Sequence, residues 1–218
     1  LSISQANVPI SHLLDLINSS NFKIESGLMF GMSPCKLIII STLFSCTPEA
    51  KEELNAVNNE VTFQRNVESF MNFTKEFRNE NIDVVMDMFA DSALWSPPEY
   101  NSYSWKSKDD LREGLTNYMN NFDELTFTPG INLPEDNVVD GFWGGSRYRS
   151  DGDNNTSSLS SANPNNLRIY GTWSSVHTET GKKTYSKWYA IVNFNEAGKI
   201  VRFNDWFNVD GLQVQINE

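Results

Sequence analysis

A carboxylate set among aromatic rings near the end of the chain is the group best suited to chemistry. Asp205 stands in Ile200-Val201-Arg202-Phe203-Asn204-Asp205-Trp206-Phe207. A strand over 200–207 puts Val201, Phe203 and Asp205 on one face, because successive side chains alternate. A carboxylate turned into a wall of Trp, Phe and Tyr loses hydration. Its pKa then rises, and it becomes a proton acceptor near neutrality. The competing placement is a solvated sheet rim, with Asp205 paired to an Arg or a backbone amide, and the strand pattern leaves both open.

Other chemistries find little support. His177 is the one histidine after residue 46 and falls near a hairpin, where a surface or contact role fits. No His/Cys/carboxylate cluster has metal-ligand spacing, so neither metal nor cofactor is expected. Gly144-Gly145 does not open a helix as a phosphate loop would. No serine sits in a nucleophile-elbow context. Cys35 and Cys46 flank one apolar run, which argues against a disulfide between them and against thiol catalysis.

The elements that must position Asp205 follow from periodicity. Phe63, Val67, Phe70, Phe73 and Phe77 form one apolar stripe at helical spacing, so a helix is expected from Val61. A short helix with Ile82, Val85, Met86 and Phe89 follows, and then an extended Ala93-Leu94-Trp95 ending at Pro97-Pro98. Ser107 with Asp110 caps a third helix carrying Leu111, Leu115, Tyr118, Met119 and Phe122 inward. Strands are expected at 125–128, 138–148, 167–177, 184–194 and 200–207, with hairpin turns at Thr180-Gly181-Lys182 and Glu196-Ala197-Gly198. Residues 151–166 form a long polar loop. Helices first and antiparallel strands after them give an α+β fold, a curved sheet wrapped over a helical layer.

Composition sets the outer limits. The chain has 218 residues, 39% apolar, with 6 Trp, 7 Tyr and 14 Phe, enough for a sizeable core. A net charge of −11 argues against nucleic acid as a partner. The one sustained apolar run, Leu37 to Phe44, is too short to span a bilayer. With Lys36 before it and Ser45-Cys46 after it, the run has the form of a secretory signal. Leu43-Phe44-Ser45-Cys46 resembles a bacterial lipobox, in which the cysteine is acylated and becomes the first mature residue. The alternative is a buried strand with a structural Cys. The signal reading divides the chain into an upstream extension (1–31), a lipoprotein signal (32–46) with Cys46 as lipidation site, a tether (47–60) and a folded domain (61–218). It places the protein in a bacterial cell envelope, touching membrane through its lipid anchor alone. Retention of residues 1–46 would instead mean a cytoplasmic protein.

Gly171-Thr172-Trp173, Thr180-Gly181-Lys182, Gly198-Lys199-Ile200-Val201 and Asp205-Trp206-Phe207-Asn208-x-x-Gly211-Leu212-x-x-Gln215 together resemble the end of a nuclear transport factor 2-like domain, nearest the SnoaL-like polyketide cyclase group. The resemblance covers about Val61 to Ile216. It implies a cone, in which a bent antiparallel or mixed sheet closed by helices encloses an apolar pocket. It also implies a carboxylate projecting into that pocket near Asp205, and a homodimer paired through the sheet. On alternation and this cone, Trp95, Tyr170, Thr172, Tyr189 and Phe203 are expected on the pocket wall. Trp188 and Trp206, of opposite parity, are expected on the outer face.

The chain departs from the family at several points. Asn208 stands where many members carry Asp, and an amide takes no proton. The Arg and second Asp of the epoxide-hydrolase branch would fall near Thr172 and Ser174. No His lies near Tyr189 or Ile191, as the cyclase pattern asks. The resemblance thus implies a pocket for a small hydrophobic or cyclic ligand, with cofactor-free proton transfer of isomerase, cyclase or dehydratase type. The alternative is a non-catalytic binding or scaffold module.

Overall fold

Phe63, Phe70, Phe73 and Phe77 are buried along one side of α1 (Pro48–Arg78), the stripe that holds this helix against the sheet. The computed structural model describes residues 48–102, 104–132, 138–139, 141–146, 152, 154 and 156–218. The expected signal and the lipidation site Cys46 lie outside the described residues, as does part of the expected strand 138–148. Residues 48–60, read as a tether, are instead the first turns of α1. The side chains described there, Pro48 and 51–60, are nearly all exposed, so helical order rests on continuity with the packed turns that follow.

A short α2 (Ile82–Asp87) buries Val85 and Met86 and leads into β1 (Phe89–Ser96). α3 (Lys108–Asn121) opens on the expected capping box: Ser107 accepts from the Asp110 amide while the Asp110 carboxylate accepts from the Ser107 amide. Then come β2 (Phe122–Pro129), a small β3–β4 pair (Ile131–Asn132, Val138–Val139) and β5 (Phe142–Trp143). The long strands β6 (Asn166–His177), β7 (Lys183–Phe194) and β8 (Ile200–Trp206) follow, before a closing helix α4 (Val209–Asn217) that the periodicity does not announce.

The main sheet runs β1-β8-β7-β6-β2, with β5 also on β6. β1 and β8 are parallel and the other pairs antiparallel, so the architecture is α+β with a mixed, curved, open sheet. Bends are built in. β2 shifts register between Asp123 and Thr126, where Glu124 takes φ 54°, and β1 shifts between Phe89 and Leu94. The core is a chain of rings. Phe70 stacks on Phe73 (centroids 5.3 Å apart) and on Trp188 (5.8 Å), and meets Phe127 edge-on (5.7 Å). Such contacts add about 0.5–1.5 kcal/mol each beyond burial. Gly171 faces this core with no side chain because the Phe127 ring lies over it; a Cβ there would come within 2.3 Å of that ring.

β8 stops at Trp206, opposite Tyr189, which leaves the first residues of β7 without a strand neighbour on that side. The side chain of Gln215 takes that place. Its Oε1 accepts from the Tyr185 amide at 2.9 Å, and its Nε2 donates to the Tyr185 carbonyl at 3.0 Å. This pair of bonds ties α4 to the sheet edge and sets Leu212 over the inward face.

Candidate functional site

The β7–β8 ladder places Ala190 opposite Asp205 and Val192 opposite Phe203, so Phe203 and Asp205 share the inward face with Trp188, Ala190 and Val192. Asp205 is 7% exposed. Both of its oxygens are engaged: the Trp188 indole N–H donates to Oδ2 at 3.2 Å, and the Trp95 indole N–H donates to Oδ1 at 3.1 Å. Trp95 arrives from β1, whose parallel register sets it opposite Phe203 after the shift in that strand. Gly114 on α3 makes room for it, since a Cβ at that position would sit 2.9 Å from the tip of the Trp95 ring.

Burial pushes the Asp205 carboxyl up to about 6; the two indole donors favour the charged form and restrain the rise, while the negative charge of Glu99 adds to it. The group therefore exchanges its proton close to neutrality. Tyr118 on α3 also faces this space. Burial raises its phenol, aided by the charges of Glu99 and Asp205, so it stays protonated. Its hydroxyl has no hydrogen-bond partner among the described residues, which leaves it available as a donor.

Around these groups lies a cavity of about 90 Å³. Phe203, Trp188 and Trp173 line its sheet side, Phe73 and Phe77 come from α1, and Leu115 and Tyr118 from α3. Phe207 and Leu212 border it on the α4 side, and both are half-buried, as Tyr118 is, so this side is open. The enclosed volume is below the roughly 150 Å³ that admits a benzene ring. It takes a fragment of a few heavy atoms, and a larger ligand extends through the open side. A second polar spot lies farther along β7, where Ser175 and Thr184 share a hydrogen bond of 2.8 Å beside Ser186. Thr184 is four residues from Trp188, about 13 Å along the strand. The wall is otherwise apolar, and among the described residues no group of three His, Cys, Asp or Glu side chains is placed to hold a metal.

The sequence-derived site divides. Asp205 and Phe203 face the cavity, and Trp95 reaches Asp205 through its indole nitrogen. Tyr170, Thr172 and Tyr189 do not join them; they stand on the opposite face, and Tyr170 and Tyr189 pack ring to ring there (4.9 Å). Trp188, expected outside, is 5% exposed and holds the carboxylate, whereas Trp206 is indeed 41% exposed. The physical reason is the phase of alternation on β6 and β7. Lys183, Lys187 and Asn193 share the parity of Tyr189, and Arg168 shares that of Tyr170. Cations two residues away on the same face do not fit an apolar hollow, and that was the signal in the sequence. Tyr118 was legible as an inward helix residue but not as part of the cavity wall. His177 packs edge-on to Phe122 (5.4 Å) and bonds Thr180 (3.0 Å) at the hairpin. Asn208 caps α4, accepting from the Gly211 amide at 2.8 Å.

No family model and no curated protein matches the chain. Solved structures do. One described as a polyketide cyclase, from Xanthomonas campestris, is 10% identical, covering 71% of this chain and 98% of its own at a TM-score of 0.48. One described as an isomerase, from Bacillus subtilis, is 13% identical, covering 72% and 95% at 0.49. A nuclear transport factor 2-like protein from Burkholderia xenovorans is 12% identical, covering 71% and 97% at 0.42. Each is a likeness to about 70% of this chain at 10–13% identity and a TM-score below 0.5.

Proposed function

We propose that the chain binds a small apolar or cyclic carbonyl compound in this cavity and moves a proton within it without a cofactor. Asp205 takes the proton from a carbon next to the carbonyl, and the electron pair passes to the carbonyl oxygen. Tyr118 donates a hydrogen bond to that oxygen as its charge grows. Return of the same proton to another carbon completes an isomerisation; loss of a neighbouring hydroxyl would instead give a dehydration. The observation that carries this reading is a buried carboxyl, fixed by two indole donors and raised to about 6, in a cavity shared with a phenol that has no hydrogen-bond partner among the described residues.

The test is solvent-deuterium exchange into cyclohex-2-enone, followed by NMR across pH 4–8. Exchange that rises with pH through about 6 and vanishes in Asp205→Asn supports proton transfer. Saturable binding without exchange at any pH leaves the non-catalytic ligand holder, a reading favoured by the fact that both Asp205 oxygens already accept indole bonds. We further propose that the chain is held in a bacterial envelope by acylation of Cys46. Mass spectrometry of the membrane fraction tests this, and a full-length chain with unmodified Cys46 overturns it.

A further inference from the structure

The cavity wall is polar at two places and apolar between them. Asp205 stands opposite Ala190 on β7. Toward the other end of that strand Ser186 and Thr184 line the same cavity, and Thr184 is paired with Ser175 on β6. Ala190 to Ser186 is four residues, about 13 Å along a strand, with Trp188 between them on the inward face. We infer that the ligand has two polar ends. One is the carbonyl of the proposed function, on which this inference rests. The other is an uncharged hydroxyl or carbonyl oxygen, held by Ser175, Thr184 and Ser186, which thereby decide between ligands.

The hydroxyls have capacity to spare. Ser175 and Thr184 bring two O–H protons, and the single bond of 2.8 Å between them uses one. Neither side chain has another hydrogen-bond partner among the described residues, and the Ser186 hydroxyl has none there. Thr184 is 1% exposed, while Ser175 and Ser186 are half-buried. Beside Phe122, Leu125 and Leu212, a valine in place of Thr184 would fill the same space without the cost of burying a hydroxyl. His177, two residues beyond Ser175, is engaged with Phe122 and Thr180 at the hairpin. Among the described residues lining the cavity none is Lys or Arg, and Asp205 is the one acid. An anionic ligand group would meet no cation, so the far end is neutral. A ligand that spans both polar places is larger than the enclosed volume and reaches the hydroxyls through the open side.

The test is isothermal titration calorimetry of the full chain with two ketones that differ in one hydroxyl at the end remote from the carbonyl, 4-(4-hydroxyphenyl)cyclohexanone and 4-phenylcyclohexanone. The hydroxylated ketone is expected to bind about tenfold tighter. Ser186→Ala should bring that ratio close to one, and so should Ser175→Ala combined with Thr184→Val. Ser186 loses no internal bond, and the double substitution removes both partners together, so neither strands a buried group; circular dichroism checks the fold. Equal affinities in the wild type overturn the inference. So does a preference that survives Ser186→Ala in the folded protein, or the absence of binding by either ketone at about 1 mM. Equal affinities alongside deuterium exchange into cyclohex-2-enone sink this inference alone, whereas a preference without exchange supports it and sinks only the proton transfer.

Discussion

Inward from strands β6 to β8 come Trp173, Trp188, Phe203 and Asp205; outward from the same strands come Tyr170, Tyr189, Trp206 and the cations Arg168, Lys183, Lys187 and Arg202. Both faces are rich in rings, so aromatic content does not separate them. What separates them is cover. The inward face lies under α1, and every polar atom there needs a partner inside the protein: the two indole nitrogens and the two Asp205 oxygens satisfy each other. On the outward face Trp206, Tyr185 and Lys187 reach water, and charge there is cheap.

That contrast is open to direct attack. Trp188→Ala should cost about 4 kcal/mol in denaturant unfolding, and Trp206→Ala less than about 1 kcal/mol; equal losses would erase the distinction between the faces. The next effect is one of pH. The Asp205 carboxyl is raised in the fold to about 6, so the folded state binds its proton more tightly than the unfolded chain does. Stability is therefore greatest below the ordinary carboxylate value and falls as pH rises to about 6, after which it levels. The total change is about 3 kcal/mol, and Asp205→Asn should remove this component from the pH–stability curve. Smaller still, Trp95→Phe and Trp188→Phe each withdraw one donor from the carboxylate. Each should raise the Asp205 midpoint by about one unit, read by NMR titration of its side chain. Tyr189→Phe on the outer face should leave that midpoint where it was. Least of all, Gln215→Ala should cost about 1 kcal/mol and speed hydrogen exchange at the Tyr185 amide, because the sheet edge loses its substitute neighbour.

Much of the fold was legible along the chain. The phenylalanine stripe from Phe63 to Phe77, the Ser107 capping box and the three long strands each announce themselves locally, since helical period, a side-chain cap and alternation are short-range signals. The start of α1 was not legible: Pro48 and residues 51–60 bury almost nothing, so no apolar pattern marks them. α4 was missed because its anchor is a side chain imitating a strand, a contact 30 residues long-range in sequence. The site was half legible. Asp205 and Phe203 followed from alternation on β8, whereas β7 carries large side chains at both parities, with Trp188 beside Tyr189, and the wrong one was taken inward.

By itself the sequence determined which segments alternate with period two, which recur with helical period, and how much charge they carry. Only the tertiary structure decided the phase of that alternation, because phase is set by which face a helix covers. It also decided that Trp95 and Trp188, 93 residues apart in the chain, should close on the same carboxylate. A buried charge needs donors from wherever packing can bring them, and only the folded chain brings those two indoles together.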